Sequence, residues 1–136
     1  MTKAGDALLR DPADGSIHFL DVTSGTIERI AAGDTAFETA VASPENAERW
    51  LALEIVDGQA ALGMRPGRNE CLSFNRPPVL GGQVEPANFE TCDVSVHLSL
   101  AGQIHQQVKD LPPGTKIGKM KIEEPAGGKR PWWKLW

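Results

Sequence analysis

Apolar and polar side chains alternate over residues 17–22 (IHFLDV) and again over 26–30 (TIERI), and Thr23, Ser24 and Gly25 lie between the two runs. Period-two alternation, β-branched enrichment and a short connection ending in glycine predict an antiparallel hairpin, entered from an Asp14-Gly15 turn. On this reading the hairpin is the first ordered feature of the chain. Asp34 is then placed to cap a short helix around Phe37 and Val41. Ser43-Pro44 repeats the start signal, a capping residue followed by proline at the first helical position. Trp50, Leu51, Leu53 and Ile55 carry that helix toward Leu62, with Gly58 as its expected interruption and Gly63 beyond its end.

Residues 64–70 (MRPGRNE) have turn chemistry and predict a loop. Residues 71–74 and 89–92 read as short strands, and Pro77-Pro78 stops the first of them. Asp93 is a candidate cap for a helix running to about Lys109, on which Val94, Leu98, Ala101, Ile104 and Val108 form one apolar stripe. Pro112, Pro113 and Gly114 end it. Ile117, Met120 and Ile122 among lysines suggest a Lys-rich edge strand over residues 115–124. The pattern thus predicts an α+β fold: a small, largely antiparallel sheet with an N-terminal hairpin, packed against two or three helices. The organisation expected is a lead segment (1–13), a single domain (14–124) and a basic, Trp-rich tail (125–136).

With 136 residues and 40% apolar content, the chain is long enough for one hydrophobic core without disulfides or a structural metal. The formal net charge of −4 argues against direct nucleic-acid binding, which needs a concentrated basic surface. The charge is uneven: residues 1–60 hold four basic and eleven acidic side chains, whereas residues 61–136 hold ten and seven. An acidic front half suits a basic partner, although acids also solvate the outer faces of ordinary helices. No run is apolar enough for a membrane span or a targeting leader, which points to the cytoplasm.

Candidate chemistry is sparse. Cys71 and Cys92 lack CxxC partners, so they predict reduced core thiols rather than a zinc site or a disulfide framework. His97 and His105 stand two turns apart and about 80° apart around one helix, a poor pair for a metal. No catalytic residue, metal or cofactor is predicted. Gly81-Gly82 lacks the neighbours of a phosphate loop, and instead suggests a backbone that passes close to another element or needs a positive φ. Gln103 and Gln106 are neutral hydrogen-bonding groups on the last helix, able to read a partner or simply to face solvent. The tail carries Trp132, Trp133 and Trp136 among cations, a composition seen at protein contacts and membrane interfaces.

Two stretches, MRPGRNECLSFNRPPVLGG and FETCDVSVHLSLAGQIHQQVKDLPPGT, resemble the C-terminal domain of Tdi-type type VI secretion immunity proteins. The IHFLDVTSGTIERIA hairpin and the helices with Phe37 and Trp50 follow that family's order of elements. The resemblance implies a small α+β domain, with the SUKH group of immunity folds as the expected kin, and no catalytic residues. It also implies a partner, a cognate bacterial toxin such as a DNase effector, which the immunity protein neutralises by binding. Candidate contacts are Asp14, Asp21, Glu28, Glu38 and Glu48, with Gln103 and Gln106 beside them. The alternative reading is a bacterial adaptor or small-ligand-binding domain outside toxin biology, using the Gly81-Gly82 loop or the helix with the glutamines.

Overall fold

The computed structural model describes residues 1–123. Three strands, β1 (Ala7–Arg10), β2 (Ile17–Asp21) and β3 (Thr26–Ala31), form an antiparallel sheet in the order β1-β2-β3. The β2–β3 hairpin turns through residues 23–25, where Gly25 takes φ +69° and its N–H bonds the Asp21 carbonyl. The first ordered strand precedes this hairpin, however. β1 pairs Ala7 with Leu20 and Arg10 with Ile17, within the segment expected to be a mere lead. Its run of Ala7, Leu8 and Leu9 lacks alternation, so the pattern hides it.

Helices α1 (Asp34–Val41), α2 (Pro44–Leu51) and α3 (Leu53–Ala61) follow. Gly33, not Asp34, stands at the cap position of α1, and Asp34 opens the helix as the acidic residue of its first turn. Ser43 caps α2 by position, with Pro44 just inside it. The break between α2 and α3 falls at Ala52, which adopts the left-handed conformation at φ +48°, rather than at Gly58. Gly58 runs on inside α3. Both Glu48 carboxylate oxygens accept the Glu54 N–H, at 3.1 and 3.4 Å, and cap the new helix. Phe37 and Trp50 stack at 5.8 Å between ring centroids and join α1 to α2. Ile17, Phe19 and Trp50 are buried, and each such side chain is worth roughly 1.5–3 kcal/mol when removed from water.

The second half is a two-stranded antiparallel pair, β4 (Glu70–Phe74) and β5 (Phe89–Asp93), and a long helix, α4 (Val94–Val108), packed on both. Cys71 lies directly opposite Cys92 and Ser73 opposite Glu90, so these four share a face, while Phe74 and Phe89 meet on the other at 4.6 Å between rings. Both cysteines are buried, and burial pushes the Cys71 thiol up to about 12. Asp93 caps α4, its Oδ1 accepting the N–H groups of Ser95 and Val96. The Ser95 hydroxyl leads the bonds that hold this exposed carboxyl below the usual range.

The buried stripe of α4 is rotated from the expected one. Val96, His97, Leu100 and Ile104 are buried, whereas Leu98 is 37% exposed. Both stripes share Ile104; the difference is that a histidine occupies the core side and a leucine the solvent side, which hydropathy alone reads the wrong way round.

The connection from β4 to β5 doubles back through two short 3₁₀ turns, Pro78–Leu80 and Pro86–Asn88. Asn88 closes it: its Oδ1 accepts the Arg76 N–H at 2.8 Å, and its Nδ2 donates to the carbonyls of Arg76 and Gln83. Gly81 takes φ +84°, and a Cβ at Gly82 would run into the Arg76 carbonyl. The glycine pair thus meets two separate requirements, a left-handed residue and a close backbone passage.

Residues 115–123 form no strand. They run extended beside α4 and are held by side chains, as described below. Glu124 and the Trp-rich tail lie outside the described residues. Among the described residues no helix is long and apolar enough to cross a membrane.

Candidate functional site

Three polar ties join distant parts of the chain, two of them from α4. His97 Nε2 lies 3.0 Å from the Gly5 carbonyl, so that nitrogen donates; Nδ1 therefore accepts, at 3.0 Å, from the Ser73 hydroxyl. His105 Nε2 likewise donates to the Val22 carbonyl at 2.9 Å, and the Val22 N–H donates to Asp6 Oδ1 at 2.9 Å. The N-terminal residues are thereby stitched to the second half: Leu72 N–H also bonds the Lys3 carbonyl, and the Lys3 ammonium donates to the carbonyls of Pro66 and Gly67. Gln59 makes the third tie, from α3 to the Pro86 carbonyl.

The Ser73–His97 pair has the composition of a nucleophile and base, but the two are 4% and 8% exposed. The cavity beside them measures about 40 Å³, room for little more than a water. Burial lowers the His97 pKa and so favours the neutral, hydrogen-bonded ring. These features make the pair a structural tie. Two carboxyls are strained in the opposite sense: burial raises Asp6 to about 6 and Glu90 to about 7, and Glu90 Oε1 has no hydrogen-bond partner among the described residues.

The acidic candidates fall into two groups. Asp14 and Asp21 fasten turns, accepting the N–H groups of Ser16 and Ser24. The bonds from Ser16 and the nearby Arg29 guanidinium hold Asp14 below the usual carboxylate range. Glu28 on β3 pairs with Arg49 on α2 at 2.8 Å, and Glu48 caps α3. Glu38 is exposed on α1. It belongs to a set that the pattern did not single out: Glu45 on α2 and Glu54 and Asp57 on α3 are also exposed, and none of the four makes an ion pair among the described residues. Across residues 34–63 there are six acidic side chains and only Arg49 of opposite sign, already engaged by Glu28. The acidity of the front half is thus concentrated on a three-helix arm.

The glutamines behave differently from expectation in one respect. Gln106 is exposed, but Gln103 faces the extended segment, accepting the Glu123 N–H at 2.6 Å and donating to the Glu123 carbonyl at 2.9 Å. Gln107, one helical turn on, does the same for Lys121 at 3.0 and 2.7 Å. Two amides four residues apart on a helix therefore pair with alternate residues of an extended chain, as a neighbouring strand would. Spacing alone could have selected Gln107 over Gln106 as the partner of Gln103. His97 and His105 left no such signal, because their backbone partners, Gly5 and Val22, are distant in sequence.

A family model described as "T6SS immunity protein Tdi1, C-terminal" matches residues 33–105, more than half of the chain and the whole span from the entry of α1 to the last turn of α4. The chain belongs to that family. No curated protein and no solved structure gives a match. As a member of the Tdi1 C-terminal family the chain is a type VI secretion immunity protein. The matched span contains the acidic arm, the β4–β5 pair and both imidazole ties of α4, while the three-stranded sheet lies outside it.

Proposed function

We propose that this immunity protein is non-catalytic and acts by binding a cognate secreted toxin, a nuclease effector, directly. Membership of the Tdi1 C-terminal family carries the reading. The acidic arm supports the choice of a nuclease. A nuclease presents a basic cleft to its substrate, and a protein surface carrying unpaired carboxylates on consecutive helices complements it and accelerates encounter. Glu38, Glu45, Glu54 and Asp57 are the contacts proposed on α1–α3. Glu48 and Glu28 lie between them with structural duties of their own, and Asp14 and Asp21 extend the acidic surface onto the turns of the sheet. The site proposed works in the cytoplasm, where the toxin's target lies, and needs no cofactor.

Stopped-flow association of the chain with its purified toxin tests this. Reversing the four arm carboxylates to lysine slows association by about tenfold or more at low ionic strength and by much less at high salt. Equal rates for parent and variant at low salt would remove the arm from the account.

A further inference from the structure

Beside α4 lies a groove of about 1340 Å³. Its floor is apolar, made by Leu100 and Ile104 of α4, with Pro77, Pro78 and Val79 as one wall. The opposite side is the extended segment, which contributes Ile117, Met120 and Ile122. Among the described residues, the charged side chains that line it are Arg76, Lys116 and Lys119, and no carboxylate does. That is notable in a chain of net charge −4. The volume exceeds the roughly 300–1,000 Å³ of ordinary small-molecule sites, and three cations around an apolar floor favour apolar side chains interspersed with carboxylates.

The segment that borders the groove is fastened by few bonds. At one end the Thr115 hydroxyl and N–H bond the Pro112 carbonyl, in a turn where Gly114 takes φ +82°. At the other end stand the four hydrogen bonds of Gln103 and Gln107. The glutamines therefore act as a latch: they hold the end of the segment through its backbone, whatever its side chains, and can exchange those bonds for water.

We propose that this groove is a docking site for an acidic, apolar peptide segment of a partner protein, and that residues 115–123 are its cationic wall, held in place by the Gln103–Gln107 latch. The site is opposite in charge to the arm and does not depend on the toxin reading. A fluorescent peptide alternating glutamate with leucine and valine, titrated against the full chain and followed by anisotropy, tests it, with the lysine-for-glutamate peptide as control. The acidic peptide binds and the basic one does not, and added salt weakens the complex. Lys119→Glu and Arg76→Glu each weaken binding about fivefold; Lys119, exposed and making no hydrogen bond or ion pair among the described residues, guards against a loop defect at Arg76. The double variant Gln103→Leu, Gln107→Leu binds the acidic peptide about fivefold more weakly, because the wall that carries Lys116 and Lys119 is no longer held beside α4. Equal binding of the two peptides, no binding of either, or indifference to Lys119→Glu would overturn the proposal. Binding that appears only after residues 124–136 are removed would assign the groove to the chain's own C-terminus and would overturn it equally.

Discussion

The two halves of this immunity protein are held together by different physics. In the first, alternating strands and amphipathic helices bury Ile17, Phe19 and Trp50, and the ion pairs Arg10–Asp34, Arg29–Asp14 and Arg49–Glu28 sit on an open surface. In the second, β4, β5 and α4 bury Ser73, Asn88 and His97; Ser73 and His97 bond each other across 24 residues and His97 reaches Gly5, whereas the side chains of the buried Thr2 and Ser16 in the first half bond only within four residues. Surface ion pairs are worth little, because solvent screens them and long side chains lose freedom in making them. Buried polar ties are costly to break, because the surviving partner loses its water as well as its bond. The first half is thus free to vary its surface charge, which is where the proposed toxin contacts lie, while the second fixes the frame.

The largest test of that contrast is a pair of substitutions on α4. Leu100→Asp places a charge in the core and abolishes folding, a loss of several kcal/mol, about 3–5. Leu98→Asp, two residues away at a position 37% exposed, leaves the melting temperature close to that of the parent. Circular dichroism of the two variants checks it, and the reverse order would mean that the apolar stripe lies where hydropathy alone puts it.

Next in size is His97→Ala, which strands the Ser73 hydroxyl and the Gly5 carbonyl in the interior and costs about 2–4 kcal/mol in urea unfolding. His105→Ala strands only the Val22 carbonyl, at a half-buried site, and costs less.

The pH dependence separates the same groups with opposite signs. The folded-state pKa of His97 is depressed below its ordinary 6.5, so its contribution is complete above that value and is lost as pH falls through the folded pKa. Asp6 and Glu90 are raised, to about 6 from 3.8 and to about 7 from 4.5. Their contributions are complete below the unfolded values and are lost as pH rises through the folded ones. Glu90→Gln therefore raises the melting temperature above pH 7 and has less effect near pH 4.5; a variant destabilised at both pH values would show that the Glu90 carboxylate has a partner that matters.

The smallest effect belongs to the first half. A double-mutant cycle on Glu28 and Arg49 gives a coupling energy below about 1 kcal/mol that fades with salt. A coupling of several kcal/mol would erase the distinction between the halves.

What was legible in the sequence cuts across that division. The β2–β3 hairpin, both strands of the second half, the Ser43-Pro44 helix start and the Asp93 cap declare themselves through local chemistry, and the structure has them where the pattern puts them. β1 was invisible because Ala7, Leu8 and Leu9 do not alternate, and the break at Ala52 because an alanine, not a glycine, takes the left-handed conformation there. Residues 115–123 have the composition of a strand but find side-chain amides instead of a sheet edge. Of the candidate site, the acidic bias was legible, while its concentration on the helical arm was not. Glu28 and Glu48 read in sequence like Glu38, and only tertiary contacts tell a paired or capping carboxylate from a free one.

The most direct test of the central claim is to mix the purified chain with the secreted nuclease effector of its own bacterium and follow DNA cleavage together with complex formation. The account predicts a stoichiometric complex without nuclease activity, and its loss when Glu38, Glu45, Glu54 and Asp57 are all reversed to lysine in a variant that still melts like the parent. Full inhibition by that folded, charge-reversed variant, or an effector that neither binds the chain nor is inhibited by it, would contradict it.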